Sequence, residues 1–328
     1  MGPLWRAADL VTPMAIRVAA TLRVADHIAA GAVSDDDLAK RTGADPDALR
    51  RVMSHLVSAG VFTRSPGGAY GLGELGEELR GPARDWLDIE GAVGRADLSF
   101  VRLLDSVRTG GPAYPLLYGA GYWEDLDRDP GLSESFDRLM GDHPAVGDVI
   151  AGHDWTAVRR VADVGGGNGV LLARLLGAHP HLAGMLVERP GPAEAAVTVL
   201  EPVRDRAEIH PGDFFGPLPR GADVYLLSRV IGDWDDERAT AVLRRCAEAA
   251  RDAGESGRVL VLEEGDLTGP HDGEGSEMDL RMLVYCAGRD RGLDDVLRLA
   301  SAAGLDAGPV RVGRCSTLVT LIPRPGRP

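Results

Sequence analysis

The chain has 328 residues, of which 26% are charged and 44% hydrophobic, so it can hold one or two domains with a substantial core. Its formal net charge of -14 repels phosphate backbones and anionic lipid, which makes nucleic acid and membrane surfaces poor partners. The three cysteines are scattered, and no apolar run has the length of a membrane span or the form of a signal peptide. We therefore expect a globular protein of the cytoplasm.

The first eighty residues predict helices followed by a hairpin. Ser34 and Asp45 have the residue types and positions of helix caps, and Gly60 is expected to end the second of these helices. Apolar segments at 61–63 and 69–72 then flank the turn sequence SPGG, which predicts two short strands. Two helices and a hairpin form a winged helix.

A winged helix serves either in DNA binding or in protein–protein contact. Arg50, Arg51 and His55 lie on the helix that would read DNA, but aspartates occupy the end that would enter the groove. Residues 1–80 also carry no excess of basic residues. We therefore predict a dimerisation domain over residues 1–80, and a winged-helix regulator is the remote alternative.

Residues 81–152 predict helices interrupted by glycine and proline. Aromatic side chains make up only 5% of the chain but concentrate here, which suggests a pocket wall as well as core packing. The aromatic residues that we single out in this region are Tyr114, Tyr118, Tyr122, Trp123 and Phe136. We predict a helical connecting region that lines the pocket of an acceptor molecule.

Short apolar strands alternate with amphipathic helices from residue 158 onward. This alternation predicts a doubly wound α/β sheet in a catalytic domain over residues 153–328. The expected strands are 161–164, 185–187, 207–210, 224–227, 259–262 and 318–322.

A glycine-rich loop, DVGGGNG at 163–169, follows the first of these strands. The dinucleotide fingerprint needs Gly or Ala at its sixth position, where the helix packs on the strand and the pyrophosphate binds. Val170 stands there instead. The spacing therefore favours a nucleoside ligand without phosphate.

Two more acids follow later strands. Glu188 ends the second strand and could accept hydrogen bonds from both ribose hydroxyls. Asp213 could accept a hydrogen bond from the adenine amino group while Phe214 stacks on the adenine ring. Alternatively, Asp213 could cap a turn. Open α/β sheets bind ligands at the carboxyl ends of their strands, so these acids and the glycine loop together predict an adenosine-bearing ligand.

These residues and several later motifs resemble those of bacterial small-molecule O-methyltransferases related to plant caffeate O-methyltransferase. The other matching motifs are GDFF at 212–215, PLP at 217–219, DVYLLSRV at 223–230, DWDDE at 233–237 and MDLRML at 278–283. Residues 9–23 are similar to the anthracycline-tailoring branch, which includes carminomycin O-methyltransferase and aclacinomycin 10-hydroxylase. The resemblance covers nearly the whole chain.

The resemblance implies a Rossmann-like catalytic domain behind a mainly helical winged-helix domain that joins two copies into a homodimer. It also implies S-adenosylmethionine as cofactor, with S-adenosylhomocysteine as product, and a small aromatic acceptor. The implied cofactor-binding residues are Asp163, Gly165, Gly167, Glu188, Asp213, Phe214 and Ser228. The implied acceptor-binding residues are Tyr118, Trp123, Phe136, Met140, Gly232, Met282 and Cys286.

The sequence departs from the plant-type pattern at the catalytic base. Those enzymes carry His-Asp-Trp, whose histidine deprotonates the phenol, but here Gly232 stands in its place. Glu263 matches a family acid that orients the histidine, and Asp290 stands where a second such acid occurs, so either could act as base or contact the substrate. The His-Asp-Trp string at 153–155 precedes the first strand and is expected to lie far from the acceptor.

Two mechanisms remain open. The first is O-methylation of an acidic phenol on an aromatic polyketide, achieved mainly by proximity and orientation. The second keeps S-adenosylmethionine as a non-methylating element in a hydroxylase, decarboxylase or pericyclase, since a fold does not fix its chemistry.

We predict no metal site, because only His179 and His181 have a ligand-like spacing and they flank a proline. His143 is a further candidate for the acceptor side, since its predicted helix also carries Phe136 and Met140.

Overall fold

A computed structural model describes residues 2–141, 144–269 and 275–325, so His143 lies outside the described residues. The chain divides into two units, Met1–Leu98 with Glu134–Leu139 and Ser99–Ser133 with Met140–Pro328. The middle one of the three regions predicted from the sequence, residues 81–152, is therefore divided between the two units. The functional division into 1–80, 81–152 and 153–328 stays a prediction.

The helices of the first unit begin where the sequence provides caps. Ser34 Oγ accepts the Asp37 amide at 3.2 Å, and Asp45 Oδ1 accepts the Ala48 amide at 2.9 Å. The elements of this unit are α1 (Pro3–Ala7), α2 (Val11–Thr21), α3 (Val24–Ala29), α4 (Asp35–Thr42), α5 (Pro46–Ser58), β1 (Phe62–Arg64), β2 (Tyr70–Leu72), α6 (Glu74–Glu78), α7 (Pro82–Leu87) and α8 (Ala92–Asp97). Strands β1 and β2 pair antiparallel, which confirms the predicted helix–helix–hairpin pattern.

The region after α8 is helical, as the sequence predicts. A 3₁₀ turn (Leu98–Arg102) is followed by α9 (Leu103–Thr109), α10 (Tyr114–Tyr118), α11 (Tyr122–Arg128), α12 (Pro130–Met140) and α13 (Ala145–Gly152). Short helices separated by glycine or proline place several aromatic rings close together. Tyr122, for example, lies 5.3 Å from Tyr114 and 5.6 Å from Tyr285 between ring centroids.

The rest of the second unit alternates strands and helices. Its elements are β3 (Arg160–Val164), α14 (Val170–Ala178), β4 (Ala183–Glu188), α15 (Pro190–Leu200), β5 (Ala207–Pro211), β6 (Val224–Ser228), α16 (Asp236–Ala250), β7 (Arg258–Glu264), α17 (Ser276–Cys286), α18 (Leu293–Ala302), β8 (Leu305–Val312) and β9 (Ser316–Pro323). Short 3₁₀ turns lie at Glu201–Val203, Ile231–Asp233 and Arg251–Ser256.

These strands form one seven-stranded sheet in the order β5-β4-β3-β6-β7-β9-β8. The first five are parallel in that order, and β9 pairs antiparallel with both of its neighbours. Alternate residues enter two cores: Tyr225 and Leu227 pack with α16 and α18, whereas Val224 and Leu226 pack with α13, α14 and α15. The predicted doubly wound sheet is confirmed, and the carboxyl ends of β3, β4 and β6 meet at one edge.

Strand β8 is an element that the sequence did not predict. Gly308 and Pro309 lie inside it and are usually signals of a turn. The strand tolerates them because it forms the edge of the sheet, where proline's missing N–H need not pair. The register shifts between Ala307 and Val310 accordingly.

The His-Asp-Trp string at 153–155 is part of the core rather than of a site. The Trp155 ring is buried, and its Nε1 donates to the carbonyl of Val149 at 3.3 Å. The string leads into the amino end of β3, opposite the edge formed by the carboxyl ends of the parallel strands. Burial also lowers the pKa of His153.

No helix in the described part of the chain is long and apolar enough to cross a membrane.

Asp148 on α13 fixes the loop before β9. Its carboxylate accepts the amides of Arg314 and Cys315, both at 3.0 Å, and the hydroxyl of Ser316 at 2.7 Å. Burial would raise the pKa of Asp148, but these hydrogen bonds outweigh it and lower the pKa to about 2. We expect Asp148→Ala to lower the free energy of unfolding at pH 7 by about 2 kcal/mol, as measured by urea denaturation.

The pH dependence of this effect provides its control. Because the folded-state pKa of Asp148 is depressed, its stabilisation is complete above the unfolded value near 3.9 and is lost as pH falls towards 2. The difference from wild type should therefore narrow below about pH 4. Asp205→Ala, at an exposed acid, should change stability little; equal losses in both variants would contradict this role of Asp148.

Candidate functional site

The loop after β3 has a backbone that only glycine adopts easily. Gly165, Gly167 and Gly169 have φ angles of 73°, 58° and 80°. A Cβ on Gly166 would stand 2.4 Å from Asp163 Oδ2, so this position must also be glycine. Helix α14 begins immediately after the loop. The loop therefore exposes its main chain at the edge of the sheet.

Glu188 connects the end of β4 to this loop. Its Oε2 accepts the amide of Gly167 at 2.9 Å, and its Oε1 accepts the amide of Arg189 at 2.8 Å. The residue is only 5% exposed. The acid predicted to bind ribose thus lies directly beside one of the glycines predicted to bind the cofactor.

Asp163 is a buried carboxyl beneath the loop. It is 1% exposed, and neither of its carboxylate oxygens has a hydrogen-bond partner among the described residues. Burial, with the nearby charge of Glu188, raises its pKa to about 7. An unsatisfied buried acid is costly, and a positively charged ligand beside it would offset that cost. S-adenosylmethionine carries a sulfonium and an ammonium group, so this site fits it.

Aromatic rings stand beside the loop after β5. Between ring centroids, Phe214 lies 5.1 Å from Phe215 and 6.0 Å from Trp234. The centroids of Phe215 and Trp234 are 5.0 Å apart. Asp213 is exposed, and its Oδ1 accepts the Phe215 amide at 2.9 Å, so it does cap a turn. The adenine roles of Asp213 and Phe214 stay predictions. Trp234 belongs to this group of aromatic rings, and the sequence alone assigned it no role in the site.

Trp123 lies beside Arg189, the residue that follows the predicted ribose acid. The guanidinium of Arg189 stands 5.3 Å above its ring, and Arg189 Nη1 donates to the Trp123 carbonyl at 2.9 Å. Arg189 also forms an ion pair with Asp127, which lies on α11 like Trp123. The Nε of Arg189 lies 3.4 Å from Glu188 Oε1. Helix α11 is thereby held next to the predicted ribose acid. The acceptor-binding role of Trp123 stays a prediction.

The position of the missing histidine lies beside a buried acid. A Cβ on Gly232 would stand 3.3 Å from Glu263 Oε2. Burial and the charge of Asp233 raise the pKa of Glu263 to about 8, and burial raises the pKa of Asp233 to about 7 in spite of Arg229 nearby. Glu263 Oε1 has no partner among the described residues. The structure thus brings Glu263 and Gly232 together, and it adds Asp233, which the sequence showed only as part of a motif.

The other predicted acceptor residues have different surroundings, and only some of them lie near this turn. Cys286 Sγ donates to the Met282 carbonyl at 3.5 Å, and burial raises the pKa of the thiol. The carbonyl of Met140 accepts Arg229 Nη2 at 3.0 Å, which brings Met140 to the end of β6. Tyr118 packs on Tyr114, with ring centroids 4.6 Å apart.

The remaining predicted residues have simpler positions. Ser228 is the last residue of β6. Phe136 lies in the part of α12 that belongs to the first unit. Asp290 donates its amide to Asp279 Oδ1 at 2.9 Å, and its Oδ2 lies 3.0 Å from where a Cβ on Gly275 would stand. The functions of these three residues stay predictions. Within the described ranges, no group of three or more His, Cys, Asp or Glu side chains could hold a metal ion.

Known proteins share both parts of this chain. A family model for an O-methyltransferase domain matches residues 100–306, and one for an O-methyltransferase dimerisation domain matches residues 5–80. A 2,7-dihydroxy-5-methyl-1-naphthoate 7-O-methyltransferase from Streptomyces carzinostaticus is 52% identical over 308 residues, covering 91% of this chain and 90% of that protein. Aclacinomycin 10-hydroxylase from Streptomyces purpurascens is 46% identical over 326 residues, covering 94% and 85%.

A solved structure agrees with these relatives. An O-methyltransferase from neocarzinostatin biosynthesis, in complex with S-adenosylmethionine and 2-hydroxy-5-methyl naphthoic acid, superposes with a TM-score of 0.92. It is 48% identical, and the match covers 98% of this chain and 99% of that chain.

Proposed function

The chain belongs to the O-methyltransferase family, with S-adenosylmethionine as methyl donor and an aromatic acceptor, and we propose that it methylates a phenolic hydroxyl of a fused-ring polyketide. A hydroxynaphthoate-like acceptor is supported by the naphthoate substrate in the name of the relative with 52% identity. The observation that carries the proposal is the contact of Glu188 with the Gly167 amide, because it joins the ribose acid and the glycine loop in one site.

The residues at the edge of the sheet would bind and orient the donor, which supplies an electrophilic methyl group. Glu188 offers its carboxylate to the ribose hydroxyls. Asp163 places a carboxyl beneath the loop, and a positively charged donor would favour the ionised form of this carboxyl. Phe214 and Trp234 offer rings for the adenine. Gly165 and Gly167 leave the main chain open to close approach.

The acceptor side would work by orientation rather than by a histidine base. Gly232 places no side chain beside Glu263, where even a Cβ would stand 3.3 Å from Oε2. Glu263 has a pKa of about 8 and is mainly neutral at pH 7, so it is a poor base there. An acidic phenol needs little help, because it is already partly ionised near neutrality. Holding its oxygen in line with the methyl group then supplies most of the catalysis.

A non-methylating reaction is the second candidate. It is supported by the 46% identity to aclacinomycin 10-hydroxylase and by the absence of a histidine at Gly232. In that case the bound S-adenosylmethionine would stay intact, and its sulfonium would serve as a fixed positive charge beside the acceptor.

Further parts of the proposal concern assembly and location. The match of residues 5–80 to a dimerisation domain agrees with the predicted homodimer. The regions 81–152 and 153–328 would line the acceptor pocket and bind the donor, respectively. We place the enzyme in the cytoplasm, since Cys246, Cys286 and Cys315 are all free thiols.

The experiment is to incubate the protein with methyl-labelled S-adenosylmethionine and a panel of hydroxynaphthoates and larger polycyclic phenols. We expect label in the product, at a phenolic oxygen, for at least one acceptor. The control is the same acceptor with that hydroxyl already methylated, which should take no label. Product that forms without label would favour the second candidate instead.

A further inference from the structure

Arg291 is a buried arginine in the loop between α17 and α18. Its side chain is only 1% exposed. Its Nη1 donates to the Ile231 carbonyl at 2.6 Å, and its Nη2 donates to the Trp234 carbonyl at 2.7 Å and to Asp236 Oδ1 at 2.9 Å. A charge is buried at this depth only when hydrogen bonds and a counter-ion compensate it. Within the described residues, its hydrogen-bond acceptors belong to residues 231–236 and Arg289, and Glu263 lies near enough for its pKa to be lowered by the Arg291 charge.

The main chain before Arg291 touches the same turn. The Arg289 amide donates to the Gly232 carbonyl at 2.9 Å. A Cβ on Gly288 would stand 2.3 Å from the Gly232 oxygen, so the two backbones are in direct contact. The α17–α18 loop and the turn at 231–234 therefore pack as one piece.

The turn has weak internal hydrogen bonds of its own. The Asp233 amide reaches the Val230 carbonyl at 3.3 Å, and the Trp234 amide reaches the Ile231 carbonyl at 3.4 Å, both longer than the usual 2.9–3.0 Å. Yet this turn carries Gly232 beside Glu263 and Trp234 beside Phe214. Its placement sets the distance between the acceptor side and the adenine side of the site.

We propose that Arg291 is a positioning residue that holds this turn with its guanidinium fork and so aligns the acceptor with the methyl donor. The proposal rests on the proposed function and extends it to a residue that touches neither reactant. Only arginine suits the position, because its planar group offers several donors in a fixed arrangement to carbonyls on both sides of the turn. Lysine keeps the charge but lacks that fork.

The test compares Arg291→Lys with Arg298→Met. Arg298 donates to the other oxygen of Asp236 at 2.8 Å but is 54% exposed. Among the described residues, its ion pairs are with Asp236 and Asp295 and not with the turn. In Arg291→Lys we expect hydrogen exchange of the peptide covering 230–235 to accelerate about tenfold. We also expect kcat to fall about tenfold, since small misplacements of reacting groups slow transfer strongly. The Kd of S-adenosylhomocysteine should rise by a smaller factor, because Glu188 and the glycine loop lie outside the turn and only the Trp234 ring moves with it. Arg298→Met should leave all three quantities near wild type.

The exchange and rate measurements separate the possible failures. Unchanged exchange in Arg291→Lys, or equal exchange in both variants, overturns the proposal. Faster exchange with unchanged kcat, measured well below the melting temperature, shows a structural role alone and also overturns it. If the wild-type protein labels no acceptor, the proposed function has failed, and the exchange comparison alone decides whether Arg291 holds the turn.

Discussion

Replacing Glu188 with alanine is expected to raise the Kd of S-adenosylhomocysteine by about 10- to 150-fold. A hydrogen bond to a charged acceptor contributes about 1.5–3 kcal/mol, which corresponds to that range at 25 °C. The variant removes the acceptor of the ribose hydroxyls and also frees the amides of Gly167 and Arg189, so the glycine loop loses its tether. Isothermal calorimetry of the intact protein measures the change.

Two further variants make this test specific. Glu188→Gln keeps an oxygen that can accept the Gly167 amide but removes the charge, so its loss of affinity should be smaller than that of alanine. Glu208→Ala removes a half-exposed acid on β5, which forms an ion pair with Arg160 at 2.9 Å, and it should leave the affinity unchanged. Unchanged affinity in Glu188→Ala would refute the cofactor role of this acid.

The sequence predicted the parts of the fold that depend on local signals. Caps such as Ser34 and Asp45 act on amides three residues away, so a short window contains both partners. The buried parallel strands are continuous apolar runs, which is how a strand covered on both faces reads. Strand β8 was not predicted, because Pro309 indicates a turn when only its near neighbours are considered. An edge strand nevertheless tolerates this proline.

The site was predictable only where a motif carried it. Glu188 and the glycine loop follow strands directly, and the parallel order of β3 and β4 brings them together. Arg291 has no such signal, because its partners are main-chain carbonyls of a turn that lies about sixty residues earlier. Arg189 was missed for the same reason, since its contacts with Trp123 and Asp127 join two segments more than sixty residues apart.

For acceptors of different acidity, the rate of the wild-type enzyme is expected to follow ionisation of the acceptor itself. With Gly232 in place of the histidine, the acidic limb of the pH profile of kcat/KM should lie at the pKa of each phenol and move with it. If Glu263 were the base, the limb would stay near pH 8 for every acceptor, because activity would rise only as this buried acid loses its proton. The measurement is a series of pH profiles with phenols of rising pKa.

Installing the histidine tests the same interpretation from the other side. In Gly232→His the new Cβ would stand 3.3 Å from Glu263 Oε2, close enough for that flexible carboxyl to shift slightly and then orient the ring. A general base contributes about 10²–10⁴-fold on a poorly acidic group, so weakly acidic phenols should gain up to that factor while acidic ones gain little. The limb should then settle near the histidine pKa of about 6.5 for all acceptors.

Gly232→Ala is the matched control, because it adds the same Cβ without the imidazole and should rescue no acceptor. Asp290→Asn and Glu263→Gln test whether the wild-type protein already supplies a carboxylate base. A limb that stays fixed across acceptors and disappears in either variant would show that it does, and orientation would then not be the main source of catalysis. A limb that moves with the phenol in wild type, and becomes fixed only in the Gly232→His variant, is the result that an enzyme without its own base must give.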